Sequence, residues 1–550
     1  MTPIRHVDYI VIGSGSAGAV IANRLSANGR YQVLLLEAGG EDRNPWIHVP
    51  GGFARIFLNP STSWGDLGAP ESALHDRRLF YPYGKVLGGS SSVNGMVYIR
   101  GDRRDYDHWR ESGNDGWGFD DVLPYFRRAE NQQRGEDQYH GVGGPIKVHD
   151  QFEPHELCEA FFAAAREVGI PGNRDFNGAD CEGAGYYQLT TDGWRRCSTA
   201  VGYLRPARRR SNLTILVNAQ VRRVLLENTR AVGIEFTRDG QAFTAVASRE
   251  VVLSAGAFNS PHLLQLSGIG PAQRLRAAGI TVAHDLPGVG ENAEDHYMPI
   301  MVYESTKPTA NDAVRTRLGK SKALWNYLVR RTGLMTIGAA YGGGFFRAVP
   351  GSVRPDVQCF FMMYSSDDYR NPSDYSGFSV GIFQSRPTSK GWVRTTSADP
   401  NARPEIRLNY LSTQNDQENL MAGLALARRI MEAPALKSYV RRRVKPAPEV
   451  MTDDAVLDWA RENGNPSYHV AGTCRMGTDA LSVVDARLRV RGISGLRVAD
   501  ASIMPSLVSG NTNAPCIMIG EKASDLILED AGAVAYQTQA AVSRSGGGGH

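Results

Sequence analysis

The chain has 550 residues, 42% of them apolar and 21% charged, which is the balance of a globular protein too long to build around a single compact core. A formal net charge of +4, with the basic clusters at 205–210 and 441–443 both short, argues against nucleic acid as a main partner. No run of 18 apolar residues occurs, so no transmembrane segment is expected.

The first 37 residues carry the clearest pattern. Residues 9–12 are apolar and β-branched and predict a buried strand, followed by a glycine turn at 13–18 (GSGSAG) and a helix over 19–25. Gly13 permits the tight turn, Gly15 leaves bare backbone for a pyrophosphate, and Gly18 lets helix and strand pack closely, with Ser16 and Ala17 at the helix start. A second strand, 32–36, ends at Glu37, 37 − 18 = 19 residues past the last glycine, where a carboxylate meets ribose hydroxyls. An acid at that position repels a 2′-phosphate, which favours FAD or NAD over NADP.

Residues 39–83 show little periodicity and predict loops over a cofactor. The small-residue run 84–95 then offers backbone to a bulky ligand, with Asn94 as a hydrogen-bonding group. Helical patterns cover 119–129 and 156–168, and strand patterns cover 213–217, 221–226, 231–236 and 250–254. Residues 255–257 are a second close backbone approach, leading to a short helix from 260 that stops at Gly270. From 300 to 465 aromatics and methionines gather in strands near 360–364, 378–383, 393 and 404–408, with a helix over 418–431. A strand ending at Asp500, a polar turn and a final helix to about 529 complete a doubly wound sheet.

The N-terminus runs straight into the first strand and leaves no room for a signal peptide. The six cysteines show no CxxC and no histidine-paired spacing, so reduced thiols, no metal site and a cytoplasmic location are expected. Contact of the basic clusters with an anionic membrane surface is the weaker option.

Five separated motifs resemble the glucose-methanol-choline (GMC) oxidoreductases: GSGSAG (13–18), GKVLGGSSSVNGMVYIRG (84–101), GAFNSPHLLQLSGIG (256–270), YHVAGTCRMG (468–477) and LRVADASIMPSLVSGNTNAP (496–515). Residues 292–296 stand where that family has an NLQDH-like stretch. The resemblance implies an α/β fold: a discontinuous Rossmann-like FAD-binding domain (1–150, 205–299 and 466–535) and an α+β substrate-binding domain with a mainly antiparallel sheet (151–204 and 300–465). A tail at 536–550 is expected to be disordered. It further implies that Gly13, Gly15, Ser16, Ala17 and Glu37 hold pyrophosphate and ribose, and that Val86, Asn94, Gly95, Met96 and Val97 line the flavin. Val221 would meet the adenine, Asp500 and Ala501 the ribityl or phosphate groups, and Asn511 and Thr512 the pyrimidine edge. Some members attach FAD through a histidine where this chain has Val93, so non-covalent FAD is expected.

By the same resemblance, His469 is the base that takes the hydroxyl proton and Asn513 the partner that stabilises alkoxide character. Choline-oxidising members carry a glutamate where this chain has Met298. A neutral primary alcohol, aliphatic or aromatic, therefore ranks first, oxidised to the aldehyde by hydride transfer to flavin N5. The electron acceptor is a quinone, a carrier or O2, with a dehydrogenase favoured over an oxidase. The competing readings are an O2-using oxidase, choline dehydrogenase, a hydroxynitrile lyase-like flavoprotein without net redox, an NAD-linked enzyme and a non-catalytic FAD binder.

Overall fold

The structure, a computed structural model, describes residues 2–151, 154–366 and 371–545, with side chains described between 6 and 532. Its larger sheet has seven strands. Six of them are β1 (Thr2–Ile12), β2 (Val33–Leu36), β3 (Leu213–Leu216), β4 (Ala219–Glu227), β5 (Arg230–Arg238) and β6 (Gln241–Leu253), in the order β3-β2-β1-β6-β5-β4. The seventh, Leu496–Val498, also pairs with β6. β6 is the hinge of this arrangement. Its first half runs antiparallel to β5, and its last three residues run parallel to Leu496–Val498. β1 accompanies it in parallel along the opposite edge. Strands β2 and β6 are apolar without alternation near the sheet centre because both faces are covered there, as a parallel α/β sheet requires.

The glycine turn behaves as its spacing predicts. Gly13 has φ +94°, and a Cβ there would sit 2.4 Å from the Ser254 carbonyl oxygen. A Cβ on Gly18 would sit 1.9 Å from the Gly13 carbonyl oxygen, so the helix Gly18–Leu25 can lie on the sheet only with a bare Cα. The last helix, Asn513–Ser545, packs beside it. Fully buried Glu521 ties the two together, accepting from Arg24 at 2.6 Å, Arg128 at 2.8 Å and the Tyr203 hydroxyl at 2.7 Å.

The second sheet is antiparallel throughout: β7 (Ile300–Ser305), β8 (Gly342–Phe346), β9 (Val357–Met362), β10 (Gly377–Gln384) and β11 (Val440–Lys445), in the order β8-β9-β10-β7-β11. Period-two alternation gives its two faces different work. Phe361 stacks on Phe161 of the helix Glu156–Glu167 with ring centroids 4.5 Å apart, while Phe360 and Met362 face a cavity. The aromatic stripe is thus core on one face and cavity wall on the other.

Four expectations need correction. Residues 39–83 are not all loop, since Ser63–Glu71 and Arg77–Gly84 form an antiparallel pair. Their glycines and prolines hid the strand pattern. The helix expected from 260 begins at Gly256 and ends at Leu266, so Pro261 lies inside it rather than at its start. The strand expected to end at Asp500 stops at Val498, and Asp500 instead caps the short 3₁₀ turn Ala501–Ile503. The final helix extends beyond 529 into the expected tail, of which 546–550 lie outside the described residues. No helix among the described residues is long and apolar enough to cross a membrane.

Candidate active site

A cavity of about 670 Å³ runs from the glycine turn to the antiparallel sheet. Gly13, Gly15, Ser16, Ala17, Glu37, Val221, Asp500, Ala501, Thr512 and Asn513 line it, as do Asn94, Gly95, Met96, Val97, His469 and Asn511. Of the residues expected in the site, Val86 is the exception. Its side chain packs with Ile47, Ile56 and Val93 in a small apolar cluster, of which Val93 also lines the cavity.

At the nucleotide end, Glu37 is buried, and its carboxylate accepts from the Ser14 hydroxyl at 2.7 Å and the Gly39 N–H at 2.8 Å. Burial pushes its pKa up, and these donors oppose the rise. The Asp500 carboxylate accepts from the Ser260 hydroxyl at 2.6 Å, the Gly256 N–H at 2.9 Å and the Ser502 N–H at 2.8 Å. It joins the two small-residue turns that the sequence keeps 244 positions apart. Asn94 is held by fully buried Arg196, whose guanidinium donates to its Oδ1 at 2.7 Å and to the Ile47 and Ser91 carbonyls. With no carboxylate to offset burial, the Arg196 pKa falls to about 9.

Two non-glycine residues of the cavity wall hold left-handed backbone, Met96 at φ +66° and Tyr468 at φ +62°. Such strain persists where the surroundings over-determine it. Here the residue after Tyr468 is His469, whose N–H donates to Asp295 Oδ1 at 2.7 Å. The same oxygen accepts the His296 N–H at 2.8 Å, and Oδ2 accepts the Tyr410 hydroxyl at 2.6 Å. Burial lifts the Asp295 pKa to about 7 against these donors.

The two imidazoles define each other's protons. His296 Nε2 lies 3.0 Å from the Ser385 carbonyl oxygen, which can only accept, so Nε2 carries a proton. Burial lowers the His296 pKa to about 4, so the ring is neutral near pH 7 and its Nδ1 is an acceptor. That atom lies 3.0 Å from His469 Nδ1, which must therefore donate. Burial, and then the neighbouring His296, push the His469 pKa well below its usual value. Neutral His469 thus bears its lone pair on Nε2, which accepts from Asn511 Nδ2 at 2.9 Å. The chain of donors runs from Asn511 through both rings to Ser385.

Asn513, expected beside His469, is the first residue of the last helix, and its Oδ1 accepts from the Ser16 hydroxyl at 2.8 Å. The asparagine that touches His469 is Asn511, expected at the flavin's pyrimidine edge. The two lie two residues apart at a helix start, and the turn of the backbone there decides which faces the histidine. Sequence reasoning missed His296 and Asp295 as members of the site, although the 292–296 stretch was the signal. A separation of 173 residues between His296 and His469 concealed their contact.

Family models described as GMC oxidoreductase match residues 7–298 and 387–520. The chain belongs to the GMC oxidoreductase family. Members of that family depend on FAD. This GMC oxidoreductase is 41% identical over 526 residues to an oxygen-dependent choline dehydrogenase of Photobacterium profundum, covering 95% of this chain and 93% of the relative. It is equally 41% identical over 526 residues to an alcohol dehydrogenase [acceptor] of Pseudomonas putida, covering 95% of each. A crystal structure of pyridoxine 4-oxidase from Mesorbium loti superposes with a TM-score of 0.86 at 30% identity, covering 94% of this chain and 98% of that one. The chain is an oxidoreductase whose relatives act on CH–OH groups.

Proposed function

We propose that this GMC oxidoreductase oxidises a neutral primary alcohol, aliphatic or aromatic, to the aldehyde, with FAD held non-covalently and a dehydrogenase-type acceptor. The observation that carries the reading is the oriented base: a buried, neutral His469 whose Nε2 lone pair meets Asn511 in the cavity wall.

The residues present fit FAD. A Cβ added to Gly15 would meet no heavy atom closer than Gly89 Cα at 4.0 Å, so the backbone of the turn is open to a phosphate at a helix start. Glu37 stands at the ribose position, and Val93, at the place of covalent attachment in some members, has no nucleophilic atom. FAD bound here supplies a two-electron acceptor for the carbinol hydride. We assign the cofactor unit to 1–150, 205–299 and 466–535 and the substrate unit to 151–204 and 300–465.

His469 Nε2 accepts the hydroxyl proton as the C–H bond breaks. Burial depresses its pKa and keeps it unprotonated near neutral pH, so the base needs no prior deprotonation. Asn511 Nδ2 gives up its bond to His469 and donates to the substrate oxygen, stabilising alkoxide character. His296 holds the His469 ring in the productive tautomer, and Asp295 holds its backbone. Met298, Ile300, Val302, Phe360 and Met362 give the sheet side of the cavity an apolar wall suited to an uncharged carbon chain or ring. Met298 packs so closely on Gly381 that a Cβ there would lie 2.6 Å from its sulfur.

Choline is the second reading, favoured by the similarity to choline dehydrogenases. The test is anaerobic mixing of the holoenzyme with hexanol, benzyl alcohol and choline while flavin absorbance is followed. Bleaching by the neutral alcohols and not by choline is expected. Rapid bleaching by choline alone would reverse the substrate order. No bleaching by any alcohol would remove the oxidation reading and send the test to cyanohydrin cleavage. Slow recovery of colour in air is expected of a dehydrogenase, and fast recovery would mark an oxidase.

A further inference from the structure

Eleven large apolar side chains are exposed among the described residues, and five of them fall within one short stretch: Leu318, Leu324, Trp325, Leu328 and Val329. Leu318 is 81% exposed, Trp325 61% and Leu328 62%. Scattered exposed leucines need no explanation, but a cluster of this kind does. The stretch comprises the helix Arg317–Trp325 and the turn Asn326–Arg330. It is held to the body at one end, where buried Tyr327 lies 5.5 Å from Trp194 and the Arg331 guanidinium sits 4.8 Å over the same indole.

Its charge is as one-sided as its hydrophobicity. From 313 to 355 the chain contains no Asp or Glu, while Arg317, Lys320, Lys322, Arg330 and Arg331 interleave with the exposed apolar residues. Among the described residues, Arg317, Lys320, Lys322 and Arg330 have no carboxylate partner in an ion pair. A second copy of the chain across a two-fold axis would bring two such cationic patches together, which electrostatic complementarity forbids. Leucine and tryptophan among lysine and arginine, on a surface lacking acids, match the chemistry of an anionic lipid interface.

We propose that the stretch 317–331 docks the enzyme on an anionic lipid surface. The chain runs from it through Leu334–Thr336 to Ala339, which lines the cavity. A Cβ on Gly51 would lie 3.1 Å from Met335 Cα, and the neighbouring Phe53, Ala54 and Phe57 line the cavity too. Docking therefore sets this side of the cavity wall next to the bilayer, where an alcohol or an acceptor that partitions into lipid is concentrated.

The test is flotation of the holoenzyme with vesicles of phosphatidylcholine alone or of phosphatidylcholine with phosphatidylglycerol. Flotation with the anionic vesicles only, weakening as salt is raised, is expected. One nearby basic residue is worth roughly fivefold in partitioning, so Lys320→Glu/Lys322→Glu should weaken binding by about tenfold or more. Leu324→Ser/Trp325→Ser/Leu328→Ser should weaken it comparably, with turnover on a water-soluble alcohol unchanged. Trp325→Phe serves where the triple variant does not fold: the blue shift of tryptophan emission on adding anionic vesicles should be largely lost in it. Absence of flotation, equal flotation on both vesicle types, or flotation undiminished in both variants overturns the proposal. A dimer in sedimentation velocity that these substitutions split, without lipid binding, overturns it in favour of a second copy.

Discussion

His296 touches neither the apolar wall nor the nucleotide end, yet replacing it should slow the chemistry. In His296→Leu the Nδ1–H of His469 loses its acceptor in a fully buried place. Leaving a buried donor unsatisfied costs about 1–3 kcal/mol. His469 can escape that cost by moving its proton to Nε2, with Asn511 turning its amide oxygen to accept. That tautomer has no lone pair toward the substrate. If the productive tautomer falls in population by this amount, flavin reduction by alcohol slows about 5- to 150-fold, at roughly 1.4 kcal/mol per tenfold. His296→Gln, which offers an amide oxygen to Nδ1 and an N–H to Ser385, should recover part of the loss. The assay is anaerobic stopped-flow reduction at saturating alcohol from pH 5 to 9, alongside flavin content and thermal unfolding. Unfolding gives an independent reading. His296 titrates near 4 in the fold and about 6.5 unfolded, so the unfolded chain binds more protons between those values, and stability falls as pH drops through that window. The full loss is roughly 3 kcal/mol below pH 4, and His296→Leu should lack it. An unchanged reduction rate in a folded, flavin-loaded His296→Leu would refute the tautomer argument.

His469→Ala should lower the rate of flavin reduction by about 10²–10⁴ while leaving the flavin spectrum intact, as stopped-flow would show. Asn511→Ala should cost about 10²–10³ in the same step, whereas Asn513→Ala, which removes the bond to Ser16, should instead lower flavin retention on dilution. Met298→Glu should weaken the KM for hexanol and admit choline, measured by competition between the two. Gly18→Ala forces a Cβ to within 1.9 Å of the Gly13 carbonyl, so purified protein should be colourless or insoluble; a stable yellow Gly18→Ala protein would overturn the packing argument.

The local signals were legible because each is set by short-range chemistry. The bare Cα atoms at Gly13 and Gly18 and the acid that ends the second strand, Glu37, are properties of a few adjacent residues, and the structure keeps the tight turn and close helix packing that the glycine spacing predicts. The hairpin within 63–84 was not legible, because its pairing depends on cross-strand contacts that its prolines and glycines do not advertise.

The active site divides the same way. Motif position singled out His469, Met298 and the residues expected on the cofactor side, and all of these but Val86 line one cavity. Tertiary structure decided the rest. It set Asn511 rather than Asn513 against His469, moved Val86 off the cavity into an apolar cluster, and brought His296, backed by Ser385, against the His469 ring and Asp295 against its backbone. Those choices depend on which way a side chain leaves a turn and on contacts between segments far apart in the chain, and a hydrogen bond of 3 Å is fixed only when both of its ends have been folded into place.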